Sequence, residues 1–138
     1  MKKATLQSLA AAIAFSVSAG VQADDNNGRG RECSEATLQG LYVFSASGFS
    51  IVAGVAQPRA IVEFIRFNGD GTLSVPAGTY SVASNCTGSL AFGPPGPTFD
   101  LYLAPSGSEV HLIFTGGPVP GLGVVPGVLQ GVAERVSR

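Results

Sequence analysis

The sequence predicts an all-β domain, an antiparallel up-and-down barrel of about eight strands, with a β-sandwich as the alternative. The first observation is a series of short runs rich in β-branched and aromatic residues. The second is that turn-forming residues separate these runs at close spacing, in a chain with 19 glycines and 9 prolines. Adjacent hairpins favour the barrel, because closing a sheet on itself removes its exposed edges.

Residues 1–23 have the three-part layout of a secretory signal peptide. Lys2 and Lys3 form a positive start, residues 9–17 are almost wholly apolar, and Ala23 ends a small-residue cleavage region. The apolar run is too short to span a bilayer, which takes roughly 20 residues. The alternative is an amphipathic or buried N-terminal helix. We expect a secreted or periplasmic protein made of the signal peptide 1–23, a flexible polar leader 24–32 and a β-barrel domain 33–138.

The exported chain lacks the features needed to bind nucleic acid or to span a membrane. Both lysines leave with residues 1–23, so six arginines remain against nine acidic side chains, a formal charge of −3. A chain of this charge is poorly suited to bind a phosphate backbone, so we expect no nucleic acid. No second long apolar run follows the signal, so we expect no membrane span.

Cys33 and Cys86 are the only cysteines, and an exported chain meets an oxidising compartment. We therefore expect a Cys33–Cys86 disulfide, although a metal pair or a redox pair remains possible on residues alone. Neither alternative has C-x-x-C spacing or several further soft ligands. Closing a loop of about 54 residues stabilises a fold by roughly 4 kcal/mol in the chain-entropy model.

The strands follow in order along the chain. Ser34 is placed to cap a short helical turn over residues 33–38. Asn68-Gly69-Asp70-Gly71 predicts a tight hairpin turn, because Asn and Gly tolerate positive φ. Residues 47–58 are interrupted by two glycines and Pro58, and we interpret them as a long loop or an irregular strand. The predicted strands are 41–46, 60–67, 72–75, 79–83, 89–92, 99–103, 110–115 and 128–136.

The last predicted strand should shut the barrel. Residues 131–135 are expected to pair with the first strand, 41–46, since these would otherwise be the two open edges of the meander. Gly131 and Ala133 are small and would allow close approach at the seam.

Four stretches carry a resemblance to a known group of proteins. The chain resembles small secreted bacterial proteins with one cysteine pair, which are similar in layout to calycin-like barrels of the allene oxide cyclase type. The resemblance covers most of residues 33–135, and it implies the barrel fold rather than any activity. The stretches are Cys33-x4-Leu38-x-Gly40-x-Tyr42-x-Phe44, Phe67-Asn68-Gly69-Asp70-Gly71-Thr72-Leu73-Ser74, Gly78-Thr79-Tyr80-Ser81-Val82-x3-Cys86-Thr87-Gly88 and Gly131-Val132-Ala133-x-Arg135.

The sequence predicts no catalytic residue, cofactor site or metal site. The chain lacks a G-x-S-x-G elbow and a glycine-rich phosphate motif. Asn68-x-Asp70-x-Thr72 has a weak likeness to a calcium loop, but Leu73 and Thr79 stand where Gly and a bidentate Glu are needed. A hairpin turn is the simpler interpretation of this segment.

Three residues are candidates for contact with a ligand: Glu63, Phe67 and His111. Glu63 shares a strand face with Phe67, and if this face is the interior, the carboxyl points into the barrel, where burial would raise its pKa. The alternative is a carboxylate near the rim or outside, paired with an arginine. His111 lies between two apolar residues of its strand, and the alternative for it is an exposed or satisfied strand residue.

These observations predict an exported barrel that binds a small apolar ligand, without a cofactor. One alternative is a cofactor-free isomerase or cyclase of the allene oxide cyclase type, which could act mainly by binding and orienting a reactive apolar substrate. Another is a structural surface protein without a pocket.

We predict that the native protein begins near Asp24 and is recovered outside the cytoplasm, because the signal is removed during export. Intact-mass spectrometry of periplasmic and extracellular fractions checks this. A retained Met1 in protein recovered from the cytoplasm would contradict it.

Overall fold

A computed structural model describes residues 32–118, 123 and 126–138. These residues form a closed barrel of eight antiparallel strands, each paired with its neighbours in sequence, with the last strand returning to the first. The predicted up-and-down barrel is therefore confirmed, and the sandwich alternative is wrong. The predicted signal peptide and nearly all of the leader lie outside the described residues. The strands are β1 (Gln39–Val52), β2 (Val55–Asn68), β3 (Thr72–Val75), β4 (Ala77–Val82), β5 (Thr87–Phe92), β6 (Thr98–Leu103), β7 (Glu109–Gly116) and β8 (Gly127–Ser137).

Residues 47–58 are mostly strand, which was one of their two interpretations, and the long loop is wrong, since β1 and β2 continue through them as a long hairpin. Ala53 and Gly54, with φ of 50° and 78°, form the two-residue turn at its tip. Every residue of β1 has a partner in β2, and residues 41–50 also lie opposite β8 apart from a local register shift. Hydrogen bonding along the hairpin thus overrides the weak strand propensity of Gly48 and Pro58. The other predicted strands agree with the structure to within two residues at each end.

β8 closes the barrel against β1, as predicted. Tyr42 lies opposite Arg135 and Ala46 lies opposite Gly131 in this ladder. A Cβ atom on Gly131 would lie 2.5 Å from the carbonyl oxygen of Ser45 and 2.8 Å from the Cβ of Ala46. The seam therefore requires glycine at position 131.

Aromatic side chains fill the interior in two groups. The first is a row of edge-to-face contacts, in which the Phe67 ring lies 5.0 Å from the rings of both Tyr42 and Tyr80. The second surrounds Phe99, whose ring centre lies between 5.7 and 5.9 Å from three further phenylalanine rings. Those three are Phe44, Phe92 and Phe114.

The end of the barrel beside the first group is covered by the start of the domain, and we call it the closed end. A 3-10 turn (Glu35–Thr37) lies here, which confirms the predicted helical turn, and the Leu38 side chain behind it is fully buried. The predicted Cys33–Cys86 disulfide is present and ties this segment to the turn between β4 and β5. The segment is thus held covalently against the barrel.

Two buried hydroxyls and one guanidinium complete the closed end. The Tyr80 hydroxyl lies 2.9 Å from the carbonyl oxygens of Glu35 and Leu38, to either of which it can donate. The Arg135 side chain donates to the Tyr42 hydroxyl at 3.0 Å and to the Thr37 carbonyl oxygen at 3.0 Å. These bonds satisfy polar groups of the 3-10 turn that the sheet ladder does not reach.

We predict that Gly131→Val lowers the free energy of unfolding by about 2 kcal/mol or more, because overpacking a close contact displaces backbone. Gln130→Val is the matched control, since Gln130 is exposed on the same strand and should tolerate the change. Urea unfolding followed by circular dichroism measures both. Equal midpoints for the two variants would show that the seam does not need glycine.

Candidate functional site

The end of the barrel opposite the closed end contains a cavity, and we call this end the mouth. The cavity has a volume of about 290 Å³ and its surface is mostly apolar. Its floor is the second aromatic group, because Phe44, Phe92 and Phe99 contribute to it. The remaining lining residues are Arg59, Ile61, Glu63, Pro76, Pro97 and Leu129.

Alternation along β2 directs Glu63 into the mouth. Ile65 and Phe67 are almost completely buried, so their face of β2 is the interior, and Glu63 lies two residues further along the same face. The Glu63 side chain is half-buried, and this loss of hydration raises the pKa of its carboxyl. The structure therefore places Glu63 inside, at the rim of the cavity.

No cation of the described residues forms an ion pair with Glu63, since the one ion pair among them joins His111 and Glu109. Arg59 lines the same cavity, four positions along the same strand face. Glu63 therefore lies near the rim, as the alternative expected, but it is not paired with an arginine of the described residues. A carboxyl in this position can donate or accept a hydrogen bond, depending on its protonation.

The other two predicted site residues lie elsewhere. Phe67 is buried between Tyr42 and Tyr80 near the closed end and does not line the cavity. The His111 side chain is 58% exposed on the outer wall, where its Nε2 lies 2.8 Å from a carboxylate oxygen of Glu109. The three candidates therefore do not form one site, and Glu63 alone is at the cavity.

Arg59 and the aromatic floor are cavity residues that sequence reasoning missed. Arg59 lies just outside the predicted strand 60–67, which begins at Ala60. Extending the alternation of Phe67, Ile65, Glu63 and Ile61 by one step reaches Arg59 and would have identified it. Phe99 could not be identified in this way, because it lies on β6 and reaches the same cavity as Glu63 only when the barrel closes.

A second concavity of about 420 Å³ lies on the outer wall, across β2, β1, β8 and β7. Its lining includes the small outward-facing side chains of Ser45, Ser47 and Ala60. It is an open surface groove, and His111 is its one titratable lining residue.

The segment with the weak likeness to a calcium loop is a hairpin turn between β2 and β3. An Asp70 carboxylate oxygen accepts hydrogen bonds from the Thr72 hydroxyl at 2.6 Å and the Thr72 amide at 3.0 Å. These bonds lower the pKa of Asp70. Within the described part of the chain, no three His, Cys, Asp or Glu side chains are grouped so that they could hold a metal ion.

We predict that Glu63→Gln raises the thermal midpoint at pH 7 by less than about 5 °C. The raised pKa means that ionisation of Glu63 lowers the stability of the folded protein. This loss of stability is complete above the pKa that Glu63 has in the folded protein. The difference from the wild type should vanish as the pH falls below 4.5, the ordinary pKa of the group. Calorimetry at pH 3.5 and 7 checks the sign, and a lower midpoint for the variant at pH 7 would contradict it.

Comparison with protein families and with curated proteins finds no family and no protein that matches this chain. The closed eight-stranded antiparallel barrel is compatible with a calycin-like architecture. Among the described residues, no helix has the length and apolar character needed to cross a membrane. Any conclusion about function therefore depends on the geometry of the mouth.

Proposed function

We propose that this chain is an exported binding protein of calycin-like type, whose barrel mouth holds one small apolar ligand. The observation that carries this proposal is the cavity floored by phenylalanine rings, with Glu63 at its rim. Barrels of eight strands are wide enough to enclose one small molecule. The disulfide supports export, because such bonds persist in oxidising compartments.

The size and lining of the cavity indicate the kind of ligand. A volume of about 290 Å³ lies at the lower end of the range of ligand pockets, so it accommodates a ring system or a short chain rather than a large lipid. Aromatic and aliphatic walls bind the apolar body, and the Glu63 carboxyl supplies one directional hydrogen bond. A ligand with an apolar body and one donor group fits best.

A second candidate function is a cofactor-free isomerase or cyclase. The observation that favours it is the half-buried Glu63 carboxyl directly beside an apolar cavity. Burial lets the group keep its proton to a higher pH than an exposed carboxyl does, which suits a general acid or base. In this function the same cavity would orient a reactive apolar substrate against that carboxyl.

We predict saturable binding of the neutral fluorophore N-phenyl-1-naphthylamine, with one site per barrel. Ile61→Trp should weaken this binding at least tenfold, because Ile61 lines the cavity and an indole would fill it. Val62→Trp is the matched control, since Val62 is the adjacent residue of β2 and is 75% exposed on the outer wall. Fluorescence titration measures all three proteins.

Equal affinity of the Ile61→Trp and Val62→Trp variants would place the fluorophore outside the mouth and overturn the proposal. Absence of saturable binding to the wild type would do the same. Circular dichroism of each variant verifies that the comparison is made between folded proteins.

A further inference from the structure

The strand that carries Glu63 is much longer than its neighbour on one side. β2 has 14 residues and β3 has 4, and the two are paired only at Arg66 opposite Val75 and Phe67 opposite Leu73. From Arg66 toward the mouth, no strand of the described residues pairs with the edge of β2 that faces away from β1. We call residues 58–64 the open edge.

The turn of the long hairpin determines which groups the open edge presents. Positive φ at both turn residues makes a type I′ turn, which places Val52 and Val55 in a hydrogen-bonded pair. Bonded and non-bonded pairs then alternate down the ladder. Ile61 and Glu63 consequently direct their backbone groups at β1, and Ala60, Val62 and Phe64 direct theirs at the open edge.

Pro58 agrees with this assignment. It belongs to the second set, so its nitrogen faces away from β1, and the missing N–H leaves no gap in the ladder. Proline is confined in sheets to such edge positions. The edge is also exposed at its outer side chains, since Val62 is 75% and Phe64 is 54% accessible to solvent.

We infer that an extended peptide segment binds to the open edge as an added strand and places one apolar side chain in the cavity at the mouth. This deepens the proposed function, because it uses the same cavity and identifies the ligand class. Strand addition supplies main-chain hydrogen bonds, and a pocket beside the edge supplies specificity for alternate side chains. Here the free groups of Ala60, Val62 and Phe64 supply the bonds, and the cavity beside Ile61 supplies the pocket.

The side chains along the edge specify the peptide further. Peptide residues opposite Ile61 and Glu63 face the mouth, and they belong to non-hydrogen-bonded pairs, in which side chains approach most closely. An apolar residue opposite Ile61 enters the cavity. A lysine or arginine opposite Glu63 meets a carboxyl that has no ion-pair partner among the described residues.

A second copy of this chain fits the edge less well. Antiparallel self-pairing that brings Arg59 of one copy opposite Glu63 of the other also brings Ala56 opposite Arg66. That place is already occupied by Val75 of β3. A separate peptide brings its own basic residue and can end where β3 begins.

The test uses the mature protein and a fluorescein-labelled peptide of nine residues. In an extended strand, the threonines of this peptide lie on one face. A leucine and a lysine, two positions apart, lie on the other face. Fluorescence anisotropy should show saturable binding. Two control peptides, one with glutamate in place of the lysine and one N-methylated at the threonines, should bind at least tenfold more weakly. Hydrogen exchange by NMR should show the amides of Ala60, Val62 and Phe64 exchanging freely and becoming protected when the peptide binds.

Val62→Pro is the matching change in the protein, since it removes an edge N–H that the barrel does not use, and Val62→Thr is its control. Val62→Pro should weaken peptide binding at least tenfold and leave N-phenyl-1-naphthylamine binding unchanged. If that variant does not fold, the N-methylated peptide still tests the same pairing, because it removes the reciprocal bonds that peptide N–H groups donate to carbonyl oxygens of the open edge.

Peptide binding without protection of these amides, or with equal affinity for Val62→Pro, would overturn the inference. Concentration-dependent protection of the same amides without peptide, with a doubled mass in light scattering, would overturn it in favour of a second copy. If the wild type binds the peptide but not the fluorophore, the proposed ligand cavity is wrong. If it binds the fluorophore but not the peptide, only the inference about the open edge is wrong.

Discussion

β1 is hydrogen-bonded to a neighbouring strand along both of its edges, and the rest of the structure depends on this two-sided pairing. Without β8, the edges of β1 and β7 would expose rows of unpaired N–H and C=O groups, and Leu129 and Ala133 would not cover the core. The pairing requires very close approach of backbone, because a Cβ on Gly131 would meet the carbonyl oxygen of Ser45. Barrel closure is therefore limited by backbone contact rather than by side-chain volume alone.

The two ends of the barrel differ in what fills them, and this difference places the candidate site. The closed end holds the start of the domain through a disulfide, the buried Leu38 side chain and the hydrogen bonds of Tyr80 and Arg135. Polar groups there are satisfied by protein. At the mouth, water still reaches Glu63, so its carboxyl is tolerated with a raised pKa. The same carboxyl between Tyr42 and Phe67 would lose its hydration without a compensating partner.

The mouth and the open edge lie on the same strand. β2 forms a wall of the cavity, and it extends past the end of β3, which leaves one of its edges unpaired there. An exposed edge of this kind is a hazard for aggregation, which natural proteins reduce with proline and with charges that point inward. Pro58 is such a proline, and Glu63 is such an inward-pointing charge. Glu63 can thus protect the free edge in the empty protein and bind a basic side chain when the edge is occupied.

The sequence by itself determined the hairpin turn at residues 68–71, the Cys33–Cys86 pair, the pairing of the closing strand and the face shared by Ile61, Glu63, Ile65 and Phe67. The turn and the shared face depend on local signals, the Asn-Gly pair and the two-residue alternation, that act over short stretches of chain. Tertiary structure alone decided that residues 47–58 continue two strands, because their hydrogen-bond partners are supplied by β8 and by the far side of the hairpin. It also decided that Ile61 faces in while Val62 and Phe64, which are equally apolar, face out. Alternation shows which residues lie together, whereas the inside of a barrel is defined only when its first and last strands meet.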